Sequence, residues 1–227
     1  MDRKIDAVFV AGGSGTRMGS AIPKQFLLLD GLPILQRSIE TFIGACPGAR
    51  VITVLPREHF ATWEKLCLKH ALNCPQTLVE GGITRFHSVR AALSKVSDGR
   101  IVSIHDGVRP LVSRSLISAM VSRMEECDAL VPAVKVTDSL KFADGSLPEP
   151  DRSGIVAVQT PQMFRSEVLK KAYTQAYREE FTDDASVAAR AGVHISLIDG
   201  EKFNIKITTP EDLTLAHLLL EGGVISY

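Results

Sequence analysis

Six short runs rich in β-branched and apolar residues recur along this chain: AVFVA at 7–11, RVITVL at 50–55, TLVE at 77–80, IVSIH at 101–105, ALVPAV at 129–134 and ISLID at 195–199. They have the character of parallel strands buried on both faces of a sheet. Between them apolar residues recur at helical spacing. Phe86, Val89, Leu93 and Val96 make one stripe, and Leu116, Ile117, Met120, Val121 and Met124 another. Buried strands joined through helices require right-handed crossovers. The expected architecture is therefore α/β, a three-layer sandwich around a mostly parallel sheet. A last helix is predicted to open at Thr209, Pro210, Glu211 and Asp212, where a Thr N-cap, a Pro in the first turn and an acidic third position make a capping box. With 227 residues, a single domain over 1–227 carrying an appendage is expected.

The appendage is where the rhythm breaks. Residues 135–158 read as an extended segment, a Gly/Pro-rich turn around Asp144 to Pro150 and a second extended segment, which predicts a β-hairpin arm. Such an arm exposes Val136, Leu140, Ile155 and Val158 and is marginal alone in water. Pairing with the arm of a second copy would bury these residues in a two-fold interface, making 135–158 a dimerisation arm of a homodimer.

Composition excludes several partners. Lys plus Arg and Asp plus Glu number 26 each, so the net charge is zero and there is no global electrostatic footprint for nucleic acid. No apolar run approaches the roughly 18 residues of a membrane span. Ala7 to Ala11 is too short for the apolar core of an export signal, so a cytoplasmic protein is expected. Cys46, Cys67, Cys74 and Cys127 are irregularly spaced and read as reduced thiols.

The strongest chemical signal follows the first run: AGGSGTRMGSAIPKQF, with Ala11, Gly12, Gly13, Ser14 and Gly15 in a turn and the cations Arg17 and Lys24 after it. A glycine turn after a strand lets backbone N–H groups approach phosphate oxygens, and cations offset the remaining charge, so the loop suits a polyphosphate. A plain tight turn with solvated cations is the bland alternative. The segment is not a Walker A loop, since Gly19 is followed by Ser20 and Ala21, nor a dinucleotide fingerprint, whose third Gly would fall on Met18.

The second signal is HDGVRP at 105–110. Asp106 and Arg109 emerge from the end of a buried strand, the edge where open α/β sheets bind ligands and where the glycine loop also lies. Asp106 suits a hydroxyl or a divalent cation and Arg109 a phosphate, although a surface ion pair closing the strand reads equally well. His105 reads as a packed, hydrogen-bonded ring. GGITRFHSV at 81–89, QTPQ at 159–162, TDDAS at 182–186 and FNIKITTPEDL at 203–213 complete the set. Each has a bland reading alone: TDDAS as a helix start, Ser88 as a helix-surface hydroxyl.

Taken together, in order and spacing, these motifs resemble the cytidylyltransferases of the non-mevalonate isoprenoid pathway nearly end to end. The resemblance implies a Rossmann-like nucleotidyltransferase fold, dependence on Mg2+ carried mainly on the CTP phosphates rather than in a protein metal site, and a homodimer with exchanged arms. It implies transfer of a cytidylyl group from CTP to 2-C-methyl-D-erythritol 4-phosphate with release of pyrophosphate. Arg17, Lys24 and Lys206 would then be catalytic. Ala11 to Gly15, Gly81, Gly82, Ser88 and Asp106 would bind the nucleotide. Asp106, Arg109, Ser139, Arg152, Thr160, Thr182 and Lys206 would hold the acceptor. Two positions depart from common family usage: Ile83, where some relatives carry a carboxylate, and Ser139, where many carry Thr. A ribitol 5-phosphate cytidylyltransferase is the alternative enzyme, and a catalytically silent nucleotide sensor the alternative of another class.

Overall fold

The computed structural model describes residues 4–13 and 22–225. Its centre is an eight-stranded mixed sheet. The strands are β1 (Ile5–Val10), β4 (Arg50–Leu55), β5 (Gln76–Glu80), β6 (Ile101–Asp106), β7 (Ala129–Lys135), β8 (Val156–Val158), β9 (Gln162–Arg165) and β10 (Ser196–Asp199). A separate two-stranded hairpin pairs β2 (Leu28–Leu29) with β3 (Leu32–Pro33). The main order is β10-β7-β9-β6-β1-β4-β5, with β8 also on β7. All six runs named above fall on strands, apart from Ala11 and Ile195 at their ends, and the β6-β1-β4-β5 half is parallel, as expected.

Strand β1 shows why the fold has three layers. Ile5, Ala7 and Phe9 pack into one core and Val8 into another on the opposite face, the period-two alternation of a strand buried on both sides. On the Phe9 face lie α1 (Ile34–Ala45), α2 (Phe60–Lys69) and α4 (Arg114–Arg123), contributing Leu35, Phe42, Trp63 and Met120. On the Val8 face lie α3 (Arg85–Leu93), α5 (Ser166–Ala172) and α6 (Asp184–Arg190), contributing Phe86, Val89, Leu169 and Val187. Fully burying each such large side chain is worth about 1.5–3 kcal/mol, so the two cores dominate stabilisation. A third cluster seats α7 (Pro210–Glu221), through Ala216 and Leu219, with Leu29 and the loop after β6.

The helix starts are chemically specified. Thr209 caps α7 through the Asp212 amide, with the reciprocal side-chain bond of a capping box, as the sequence predicts. Asp183 caps α6 in the same way with Ser186.

One expectation needs correction. The stretch 135–158 is a β-ladder only at its base, where Ala133, Val134 and Lys135 pair antiparallel with Val158, Ala157 and Val156. No further ladder is formed over 136–155, where Gly145, Pro148 and Pro150 interrupt a run of polar residues. Its apolar side chains remain largely exposed, Phe142, Leu147 and Ile155 among them. Within the mostly parallel sheet, β9, which contains Gln162 of QTPQ, inserts antiparallel between β6 and β7, and β8 also pairs antiparallel with β7, while β10 pairs with β7 in parallel.

Candidate active site

Strands β1, β4, β5 and β6 run in parallel, so their carboxyl ends share one edge, and the glycine turn, Gly82 and Asp106 meet there. They line a cavity of about 510 Å³, together with Lys24, Ile83, Arg85, Ser88 and Lys206. Ala11, Gly12 and Gly13 form its floor; Ser14, Gly15 and Arg17 lie outside the described residues. Lys24 opens a 3-10 turn at Lys24–Phe26 and is largely buried, its stem beside Gly13, so it is not a solvated surface cation.

The opposite wall is a tight turn into α3. The Gly82 amide donates to Ser88 Oγ at 3.1 Å, and that hydroxyl lies 3.0 Å from the Thr84 carbonyl, to which it donates. Ser88 thus shapes the turn from within. A Cβ on Gly82 would lie 2.4 Å from the His87 Cβ, so only glycine lets the loop close this far onto the helix. The Gly81 amide is committed to the Leu55 carbonyl at 2.9 Å, placing Gly81 one residue behind the cavity wall. Ile83 is almost fully exposed at the mouth and brings no polar group.

Asp106 is the electrostatic centre. Its Oδ2 lies 2.9 Å from Lys206 Nζ and 3.6 Å from Arg109 Nε, and its Oδ1 lies 3.4 Å from Arg85 Nε. Burial by itself raises a carboxyl pKa, but Arg85, Lys206 and Arg109 together hold Asp106 well below the usual carboxylate range. Its amide donates to Thr160 Oγ1 at 3.0 Å. That leaves the Thr160 hydroxyl proton for His105 Nδ1, 3.0 Å away, and the His105 Nε2–H for the Arg109 carbonyl at 3.1 Å. Burial lowers His105 to about 4, so the ring is neutral and structural, as expected.

Behind Asp106 is a second cavity of about 200 Å³, lined by Arg109, Thr160, Thr182, Gln159 and Gln162. Arg85, Asp106 and Lys206 face both cavities and form the wall between them. Four of the expected acceptor residues besides Asp106 are therefore brought together here: Arg109, Thr160, Thr182 and Lys206. Ser139 and Arg152 are not; both are exposed on the arm, where Arg152 Nη1 donates to the Thr137 carbonyl at 2.7 Å.

Several organising residues were not assigned a role from sequence. Gln162 joins two motifs, donating to Asp183 Oδ2 at 2.8 Å and accepting from the Ala185 amide at 2.9 Å. Asn204 donates to the Thr160 carbonyl at 2.9 Å, and its own carbonyl receives Arg109 Nη1 at 2.7 Å. Arg85 bridges Asp106 and the buried Asp184. A sequence signal for Arg85 did exist: it is the first residue of α3, where the helix dipole disfavours a cation unless acidic partners are close. Among the described residues no group of three His, Cys, Asp or Glu side chains is placed to hold a metal, and no helix is long and apolar enough to cross a membrane.

A cation-lined cavity at the carboxyl edge of a mostly parallel sheet, sharing Arg85, Asp106 and Lys206 with a second cavity, fits an α/β nucleotidyltransferase. The family model described as IspD, 2-C-methyl-D-erythritol 4-phosphate cytidylyltransferase, matches residues 5–222. The chain is 48% identical over 223 residues to the protein of that name from Porphyromonas gingivalis, covering 97% of this chain and 99% of the relative. It is 43% identical to that from Bacteroides fragilis, covering 94% and 98%. The structure of 4-diphosphocytidyl-2C-methyl-D-erythritol synthase from Anaerococcus prevotii superposes with a TM-score of 0.82 at 25% identity, over 97% of this chain and 100% of the other. The chain belongs to the 2-C-methyl-D-erythritol 4-phosphate cytidylyltransferase family, with its Rossmann-like nucleotidyltransferase fold. It is an enzyme of isoprenoid biosynthesis, and the ribitol 5-phosphate alternative is not favoured.

Proposed function

We propose that CTP occupies the larger cavity, 2-C-methyl-D-erythritol 4-phosphate the smaller, and that transfer takes place across the wall they share. The observation that carries this reading is that Arg85, Asp106 and Lys206 line both cavities, so the two sites adjoin at these side chains. The acceptor phosphate attacks the α-phosphorus of CTP. One P–O bond forms, the bond to the β-phosphate breaks, and pyrophosphate leaves. A phosphate monoester has a second pKa near ~6, so the nucleophile is largely dianionic at neutral pH and needs no general base. A neutral, internally bonded His105 is consistent with that.

Charge accumulates on the nonbridging oxygens, where Lys24 and Lys206, with Arg17, stabilise it. Arg109 and Lys206 offer cations to the acceptor phosphate, while Thr160 and Thr182 line its cavity. Mg2+ would be carried on the triphosphate itself, since Asp106, the one carboxylate among the described residues lining the larger cavity, already faces Arg85, Lys206 and Arg109 with its two oxygens. When bound it neutralises phosphate charge. The protein acts in the cytoplasm as a homodimer, in which Arg152 and Ser139 reach the partner's acceptor cavity; their absence from the cavities of their own chain supports this.

The test is pyrophosphate release with CTP and Mg2+ against methylerythritol phosphate, ribitol 5-phosphate and no acceptor. A higher kcat/KM for methylerythritol phosphate is expected. Preference for ribitol 5-phosphate, or CTP binding without turnover, would overturn the reading.

A further inference from the structure

We propose that Arg85 is a positioning residue, holding the Asp106 carboxylate in the wall between the two cavities in the one orientation that admits the acceptor. This rests on the acceptor occupying the smaller cavity.

Arg85 uses both ends of its fork. Nε meets Asp106 Oδ1 at 3.4 Å and Nη2 meets Asp184 Oδ2 at 2.7 Å. The far end is fixed. Asp184 is fully buried in the first turn of α6, and its other oxygen takes the Tyr173 hydroxyl at 2.6 Å. The Tyr173 ring stacks on Phe86, next to Arg85 in α3, with centroids 4.7 Å apart. The guanidinium is therefore held between three elements before it touches Asp106. By engaging Oδ1 it leaves Oδ2 to face Lys206 and Arg109. Without it, the carboxylate can turn and meet these two cations with both oxygens, drawing them away from an incoming phosphate. A lysine at 85 is one point charge on a flexible stem and cannot span the two carboxylates as the planar fork does.

The test compares Arg85→Lys, Tyr173→Phe, Asp106→Asn and the double variant Arg85→Lys/Asp106→Asn, each checked for folding by circular dichroism. KM for methylerythritol phosphate is measured at saturating CTP, and CTP affinity separately by calorimetry. Arg85→Lys is expected to raise the acceptor KM about tenfold or more and to leave CTP affinity within about threefold. Tyr173→Phe keeps the ring and loosens the anchor, raising the acceptor KM by roughly threefold. Because Arg85 acts through Asp106, the double variant should lie within about threefold of Asp106→Asn alone in kcat/KM. An unchanged acceptor KM, losses that multiply in the double variant, or a larger effect on CTP affinity than on the acceptor would overturn the proposal. If Arg85→Lys does not fold, an unchanged acceptor KM in Tyr173→Phe overturns it instead. If Asp106→Asn itself leaves the acceptor KM unchanged, the placement of the acceptor falls, and this proposal with it.

Discussion

Lys206 Nζ lies 2.9 Å from Asp106 Oδ2, joining the end of a central strand to a loop near the end of the chain. Asp106 has two further cationic neighbours, so it stays compensated if Lys206 is lost. Lys206 is partly exposed and supports no core. Lys206→Ala should fold normally and lose about 10²-fold in kcat, the scale of one preorganised charge-stabilising group. A loss below about threefold in steady-state turnover would make it a solvated ion pair.

Asp106 also sets an acid limit. A carboxylate whose folded pKa is depressed contributes stability above its unfolded value near ~3.9 and loses it as pH falls through the folded one. Asp106 is depressed well below that range, so it stays ionised wherever the protein is folded at mildly acidic pH. The kcat/KM profile should carry no inflection from Asp106 between pH 5 and 8, on the order of the range a neutral histidine would otherwise govern.

His105 gives a pH dependence of the same sign in a higher pH window, because burial lowers its pKa too. Its folded pKa of about 4 lies below the unfolded value of ~6.5, so between the two the unfolded chain binds more protons. Stability is complete above about pH 6.5 and falls as pH drops towards 4, by up to roughly 3 kcal/mol. Urea melts across this range should show a shallower slope for His105→Gln than for the parent. Equal slopes would mean that His105 is not held neutral.

Gly82→Ala places a Cβ 2.4 Å from that of His87, forcing the turn away from α3 and from Ser88. Overpacking of this kind costs about 1–3 kcal/mol. A lower midpoint in thermal melts is expected, with CTP affinity reduced by about tenfold or more in calorimetry, since the displaced wall lines the cavity proposed for CTP. Unaltered CTP affinity would remove this turn from the site.

Arg152 and Lys24 test the arm. If Arg152 serves the partner and Lys24 its own chain, a dual-tagged heterodimer of one Arg152→Ala and one Lys24→Ala chain places both lesions in one site and neither in the other. About half of wild-type activity should return from two inactive homodimers. No recovery, or a monomer in sedimentation at assay concentration, would exclude a trans-acting arm.

The sheet was legible in the sequence because burial on both faces writes itself locally: Ile5, Ala7, Phe9 and Val8 alternate between two cores within one strand. The start of α7 was legible for the same reason, since Thr209 and Asp212 satisfy each other's backbone within one turn. The glycine turn and Asp106 could be assigned to one edge because parallel strands share their carboxyl ends. The tertiary structure decided what depends on distant partners. β9 is four residues whose place between β6 and β7 is fixed by pairing with Ile101–Ile104 on one side and Ala129–Leu130 on the other, not by any period of its own. The arm lacks a ladder over 136–155 because, among the described residues of one chain, nothing pairs there. Arg85 could be seen at a helix start, but its meaning lies in Asp106 and Asp184, which only the fold brings within reach of its guanidinium. Local residues specify propensity and burial; the orientation of a charge is specified by whatever the fold places beside it.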